Sequence, residues 1–174
     1  MPKIIENIRE NLLSEARMQV MEQGYATMTI RSVAGACGVG VGTVYNYFPS
    51  KDMLVASFML EDWQACIDEI GKCCEVSMDP QAVLQCVYDE LKSFITEYSG
   101  LFQDADAGAS FAKEFMQRHK LLRAQIAQPL QKICMMQDKV APELLAEFVA
   151  ENMLTWTLSD KVFEEIKSIL LQLF

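Results

Sequence analysis

Between Thr29 and Lys51 the chain reads TIRSVAGACGVGVGTVYNYFPSK, two short apolar helical patterns on either side of a glycine-bearing turn, without one Asp or Glu. No other stretch restricts the fold as much. Ile30, Val33 and Ala34 recur at helical spacing, Gly38 interrupts them, and Val44 and Phe48 resume the pattern four residues apart. Thr29 suits the N-cap of the first helix and Gly40 stands at that position of the second, which runs from Val41 to Phe48. Ala34 is small where two helices cross closely. Ahead of the pair, Ile4, Ile5, Ile8, Leu12, Leu13, Ala16, Val20 and Met21 give a third apolar stripe that ends at Gly24.

The remainder is helical as well. One long helix is expected from Lys51, capped by Ser50, to about Val76. Another follows Asp79-Pro80, with Pro at its first position. Ser99–Gly108 reads as a loop or broken helix. Phe111 to about Asp138 is helical with a kink or break at Pro129, Pro142 opens a helix to Leu158, and Ser159 or Asp160 caps a last one ending at Phe174. Alternating strand-like runs are scarce, so the fold class is all-α. A three-helix helix-turn-helix domain, residues 1–50, is joined by the long helix to a larger helical domain, residues 51–174.

Charge separates the same two regions. The net charge is −9. Residues 1–52 carry five basic and five acidic groups, whereas 53–174 carry ten and nineteen. A modest positive field on an acidic molecule suits a site-specific binder of double-stranded DNA better than a general DNA coater. A helix that is small at its start and polar further along is what major-groove entry requires.

Read together, TIRSVAGACGVGVGTVYNYFPSKDML resembles the N-terminal domain of the tetracycline-repressor (TetR) family of bacterial transcription regulators. The Thr before the second helix, GV at the turn, GTVYNYF and the S-K-D-x-L entry to the fourth helix carry the likeness, over roughly residues 3–55. Gly40 departs from it, standing where the family has Ser. The resemblance implies a regulator, usually a repressor, that binds a palindromic operator as a homodimer and answers to a small-molecule effector.

The chemistry of the side chains indicates DNA contacts. Thr29, Arg31, Tyr45, Tyr47 and Lys51 place hydroxyls and cations for phosphates. Gly42 lets the backbone approach the groove, while Thr43 and Asn46 offer base-reading groups. With no Arg or Lys on this helix, specificity leans on fit, thymine methyls and DNA shape. Leu145, Phe148, Val149, Asn152 and Trp156, with Phe163, Ile166 and Leu170, form the expected dimer seam, a four-helix bundle between subunits. Trp63, Cys66, Phe94, Tyr98, Phe111 and Phe115 are the candidate walls of an effector pocket, which the resemblance implies. A small, largely apolar molecule there would tilt the long helix and release DNA.

Other functions fit less well. No phosphate-binding glycine loop, nucleophile elbow or His partner for a Ser or Cys points to an enzyme. Neither a metal nor a cofactor is expected. The single histidine, His119 between Arg118 and Lys120, reads as exposed, and the six cysteines show no CxxC or metal-ligand spacing. Glu61, Asp62, Asp68 and Glu69 read as a solvated acidic face. The charged N-terminus MPKIIENIREN and the lack of a membrane-length apolar run make a reduced, cytoplasmic protein the expectation, with no membrane partner. Two alternatives stay open. One is a thiol-based redox-responsive regulator of the same fold using Cys66, Cys73 and Cys74. The other is a helical ligand-binding module without DNA activity.

Overall fold

The computed structural model describes residues 7–104 and 108–174, the side chains of 108–117 excepted. Among these residues every regular element is a helix: α1 Ile8–Gln23, α2 Ile30–Ala36, α3 Val41–Tyr47, α4 Lys51–Val76, α5 Pro80–Glu97, α6 Ser99–Gln103, α7 Gly108–Met136, α8 Pro142–Thr157 and α9 Phe163–Leu171. Ile4 and Ile5, expected on the first stripe, lie outside the described residues.

The chain divides into two compact units, Met1–Asp62 with Tyr98–Ala112 and Trp63–Glu97 with Lys113–Phe174. In the first, α1 presents Leu12, Leu13, Ala16 and Val20, all buried, to a core completed by Met28, Val33, Ala34, Val44, Leu54 and Phe58. Glycine ends α1: Gly24 takes φ 84°, and its N–H reaches the Val20 carbonyl at 3.0 Å. The end of α2 is more tightly determined. Gly38 adopts φ 68°, Val39 N–H donates to the Ala34 carbonyl at 2.9 Å, and Gly38 N–H donates to Gly35 at 3.2 Å. This Schellman pair satisfies the last carbonyls of α2 and turns the chain straight into α3. Phe48 has extended backbone, so α3 closes one residue earlier than expected, yet its ring stays buried. Ser50 caps α4 by accepting Met53 N–H at 3.1 Å.

The second unit is built on α5, whose Val83, Leu84, Val87 and Leu91 are buried together with Ile126, Leu130 and Ile133 of α7. Asp79 caps α5 by accepting the N–H groups of Gln81 and Ala82 at 3.2 and 3.3 Å. Ala146, Val149, Ala150 and Met153 of α8 and Phe163, Ile166 and Leu170 of α9 complete this core. Three details differ from expectation. Helix α7 begins at Gly108 rather than Phe111, after the short helix α6 that agrees with the broken-helix reading of the preceding stretch. Helix α7 continues through Pro129 without a break. The missing N–H and the ring clash cost about 3 kcal/mol in an isolated helix, but Ile126, Ala127, Leu130, Ile133 and Cys134 around it are all buried and hold the helix in place. Finally, Val162 rather than Ser159 or Asp160 precedes α9, and Glu165 accepts the Val162 N–H at 3.0 Å. Ser159 turns back instead to the Trp156 carbonyl at 2.7 Å, while Lys92 ties down the carbonyls of Thr157 and Ser159 at 3.1 and 2.8 Å.

Candidate nucleic-acid interface

The outer face of α3 follows from its anchors. Val44 and Phe48 are 0% and 3% exposed, which fixes the roll of a seven-residue helix. The opposite positions must then point to solvent. Tyr45 and Tyr47 are 50% and 46% exposed, Gly42 and Asn46 are exposed, and Thr43 is half-buried. Arg9 of α1 lies 5.8 Å from the centre of the Phe48 ring and pairs with Glu61 of α4 at 2.9 Å, so the underside of α3 is closed by a cation over an aromatic face. A Cβ added at Gly42 would meet nothing within 4 Å, so the glycine is not required by packing inside the subunit.

Thr29 sits at the start of α2 in a reciprocal cap. Its Oγ1 accepts Ser32 N–H at 3.0 Å, and Ser32 Oγ accepts Thr29 N–H at 3.1 Å. The Ser32 hydroxyl lies 2.6 Å from Gln19 Oε1, and Gln19 donates to Glu15 at 2.7 Å. A polar chain therefore fastens α2 to α1. Neither Ser32 nor Gln19 was singled out in the sequence, although a Ser three residues after a Thr cap is a signal that could have found the first. Arg31, in the same turn, is exposed and has no ion-pair partner among the described residues.

Lys51 is held at the entry to α4. Its Nζ donates to the Tyr25 carbonyl and lies 3.9 Å from the centre of the Tyr25 ring, while the Tyr25 hydroxyl donates to Asp52. The ammonium is thus fixed in position by the turn that follows α1. Thr29, Arg31, Gly42, Thr43, Tyr45, Asn46, Tyr47 and Lys51 all fall within the first unit.

The acidic face of α4 is not uniformly solvated. Asp62 accepts from Arg17 of α1 with one oxygen and from the Tyr98 hydroxyl with the other. Arg17 lies 5.6 Å from the Phe58 ring centre, and Tyr98 stacks on Phe58 at 6.3 Å. Glu61 pairs with Arg9, Glu69 with Lys72 at 2.5 Å, and Asp68 accepts from Gln64 at 2.9 Å. Tyr98, expected to line an effector pocket, is thereby fully buried with its hydroxyl engaged.

Of the other pocket candidates, Trp63, Cys66 and Phe94 lie in the second unit, each less than 10% exposed. Trp63 meets Phe94 edge-on at 5.3 Å and donates its indole N–H to Gln125 at 2.9 Å. Burial pushes the Cys66 thiol up to about 12, with Glu90 adding to the shift. The side chains of Phe111 and Phe115 lie outside the described residues.

The expected dimer seam divides in two. Val149, Phe163, Ile166 and Leu170 are buried inside their own subunit, so they offer no area to a partner; α8 and α9 need that stripe to pack within the unit. Leu145, Asn152 and Trp156 are half-buried and Phe148 is exposed, and they share the outer face of α8 with exposed Leu144. Asn152 donates its amide to the Phe148 carbonyl at 2.7 Å, within its own helix. His119, expected to be exposed, is half-buried with Nε2 3.6 Å from Glu151, which Arg123 also approaches at 3.5 Å. Among the described residues no cluster of His, Cys, Asp and Glu could hold a metal ion, and no helix is long and apolar enough to cross a membrane.

Three short helices, the second and third joined by a tight turn that leaves one polar face of the third outward, define a helix-turn-helix head on an otherwise all-helical protein. Residues 12–58 match the family described as bacterial regulatory proteins, tetR family. Over these residues the chain resembles the TetR family of bacterial transcription regulators. It is 41% identical over 51 residues to the HTH-type transcriptional regulator HbdR of Aromatoleum sp. (strain CIB), a match covering 29% of this chain and 22% of that protein. It is 27% identical over 156 residues to the HTH-type transcriptional repressor KstR of Rhodococcus jostii (strain RHA1), covering 85% of this chain and 72% of KstR. A transcriptional regulator from Cytophaga hutchinsonii ATCC 33406 superposes over 94% of this chain and 93% of its own, with a TM-score of 0.68 and 17% identity. Each of the three is a transcriptional regulator or repressor by name.

Proposed function

We propose that the protein is a dimeric, sequence-specific DNA-binding transcription regulator, a repressor released from its operator by a small, largely apolar ligand. The supporting observation is the outer face of α3, where Val44 and Phe48 hold the helix from below while Gly42, Thr43, Tyr45, Asn46 and Tyr47 face outward. No carboxylate of α2 or α3 opposes a phosphate. The Tyr45 and Tyr47 hydroxyls, Thr29, Arg31 and the anchored Lys51 grip the DNA backbone; Gly42, Thr43 and Asn46 meet base edges. Residues 1–50 form the DNA-binding domain and 51–174 the ligand-binding and dimerisation domain.

Two such heads on one palindrome need a symmetric pair of subunits. The surface that suits pairing is the outer face of α8, Leu144, Leu145, Phe148, Asn152 and Trp156, together with Ile169 of α9, 56% exposed. Fully burying one Leu or Phe side chain contributes about 1.5–3 kcal/mol, so a few of these residues from each subunit suffice for a stable dimer. The effector is proposed to contact Trp63, Cys66 and Phe94.

The test is footprinting and fluorescence anisotropy on the DNA upstream of the protein's own coding region. A protected palindrome, with affinity lowered at least about thirtyfold in Tyr45→Phe/Tyr47→Phe through loss of four hydrogen bonds per pair of heads at about 0.5 kcal/mol or more each, is the expected result. Sequence-independent binding at low salt that the double substitution leaves unchanged would overturn the reading. Sedimentation of Phe148→Asp is expected to show monomer, and an intact dimer would remove α8 from the seam.

A further inference from the structure

Two of the six cysteines are joined. Cys73, in the last turn of α4, and Cys86, in the second turn of α5, form a disulfide with their Cα atoms 6.6 Å apart. Both belong to the second unit and both are partly exposed. The turn between them is held without sulfur: Ser77 N–H donates to the Cys73 carbonyl at 3.0 Å, Asp79 N–H to Ser77 Oγ at 3.2 Å, and Asp79 caps α5. Ile70, Cys74, Val83 and Val87 on the two helices are buried, so the hairpin does not depend on the S–S bond to fold.

The remaining thiols have a different character. Burial pushes Cys66 to about 12 and Cys74 to about 11, and it raises Cys134, which is fully buried. A protonated, enclosed thiol neither attacks an oxidant nor meets one. Cys37 is half-buried and stands alone on the first unit. The sequence suggests a thiol sensor of Cys66, Cys73 and Cys74, but Cys66 and Cys74 are buried and the partner of Cys73 is Cys86.

We infer that Cys73 and Cys86 are a reversible dithiol–disulfide pair closed by a hydroperoxide, and that closure clamps the last turn of α4 to α5. One thiolate attacks the O–O bond, releasing an alcohol (water, from hydrogen peroxide) and becoming a sulfenic acid. The second thiol displaces the sulfenic hydroxyl as water and forms the S–S bond. Two thiols and one hydroperoxide thus give one disulfide, one alcohol and one water. A small-molecule thiol reverses the reaction by exchange. Helix α4 begins at Lys51, and the effect on DNA affinity rests on the regulator reading above.

The experiment uses the full chain, reduced and then treated with one equivalent of hydrogen peroxide. The expected result is loss of two hydrogens, a crosslinked peptide joining Cys73 to Cys86, slower amide exchange across residues 72–86, and full reversal by dithiothreitol. Cys73→Ser and Cys86→Ser each abolish all of this, while Cys37→Ser leaves it intact. Operator affinity is expected to differ about tenfold between the two states of the wild type, an ordinary size for coupling between sites, and to stay at the reduced value in both Ser variants. Oxidation at another cysteine with Cys73 and Cys86 still free, or unchanged exchange across 72–86, overturns the pair. Equal operator affinity in the two states overturns its regulatory effect. Absence of DNA binding in both states refutes the regulator reading, while mass and exchange still decide the disulfide.

Discussion

Replacing Gly42 by Ala separates what α3 does for the fold from what it does at its outer face. The added Cβ meets no atom within 4 Å. Gly42 lies outside the left-handed region, so the substitution brings no clash or strain within the subunit. Glycine in a helix is about 0.5–1 kcal/mol less favourable than alanine. For a chain of this length that corresponds to a rise in Tm of roughly 1–4 °C. At the DNA the sign reverses: a methyl group interposed between backbone and base edge removes the close approach and lowers affinity about tenfold or more, at least about 1.4 kcal/mol. Differential scanning fluorimetry reads the first effect and anisotropy on the operator the second. The expected result is a more stable protein that binds less tightly. If Tm rises and affinity does not fall, Gly42 is not at the DNA and the orientation assigned to α3 is wrong. If Tm falls, the space above Gly42 is not open.

Two further substitutions probe the interior. Asp62→Ala removes the carboxylate partner of Arg17, whose Nε has no partner among the described residues, together with an acceptor of the buried Tyr98 hydroxyl. A loss of about 2–4 kcal/mol is expected by urea unfolding, against about 1 kcal/mol for Tyr98→Phe, and equal losses would refute the shared role of Asp62. The Cys66 thiol gives a pH signature. Its ordinary value is 9, and in the fold it keeps its proton up to about 12. The native state therefore binds more protons than the unfolded chain above pH 9, so this contribution is complete below pH 9 and is lost as pH rises toward 12. Its slope is at most about 1.4 kcal/mol per pH unit. Cys66→Ala is expected to flatten the fall in unfolding free energy between pH 9 and 10.5; an identical slope would show that the thiol is not enclosed.

Local rules reached far into this chain where the determinants were local. Thr29, Gly38, Ser50 and Asp79-Pro80 act within a few residues of themselves, and each sits at the helix end where the sequence put it. The departures come from partners distant in sequence. Ser159 looks like a helix cap, but Lys92 takes the nearby carbonyls and the hydroxyl turns back to Trp156. Pro129 looks like a helix break, but burial on either side of it prevails. Asp62 looks like a surface charge until Arg17 and Tyr98 are brought to it from 45 and 36 residues away. An apolar stripe has the same spacing whether it faces its own core or a second subunit, so Val149 and Phe148 could not be told apart by period alone. The pairing of Cys73 with Cys86, 13 residues on, follows from the hairpin geometry of α4 and α5 and from no spacing rule.

The scarcity of charge on the head bears on how such a protein would search for its site. Affinity for arbitrary DNA comes from cations that displace condensed counterions, with a slope in log salt of about −0.9 for each phosphate neutralised. Arg31 and Lys51 are the only charged residues from Thr29 to Lys51. The proposed pair of heads would therefore neutralise roughly four phosphates through this stretch, giving a slope near −3.6. Loosely held by DNA in general, the protein would make short slides and frequent departures, sampling the chromosome by hops through solution. Its affinity for a true site would then fall less steeply with intracellular potassium than that of a head carrying more cations.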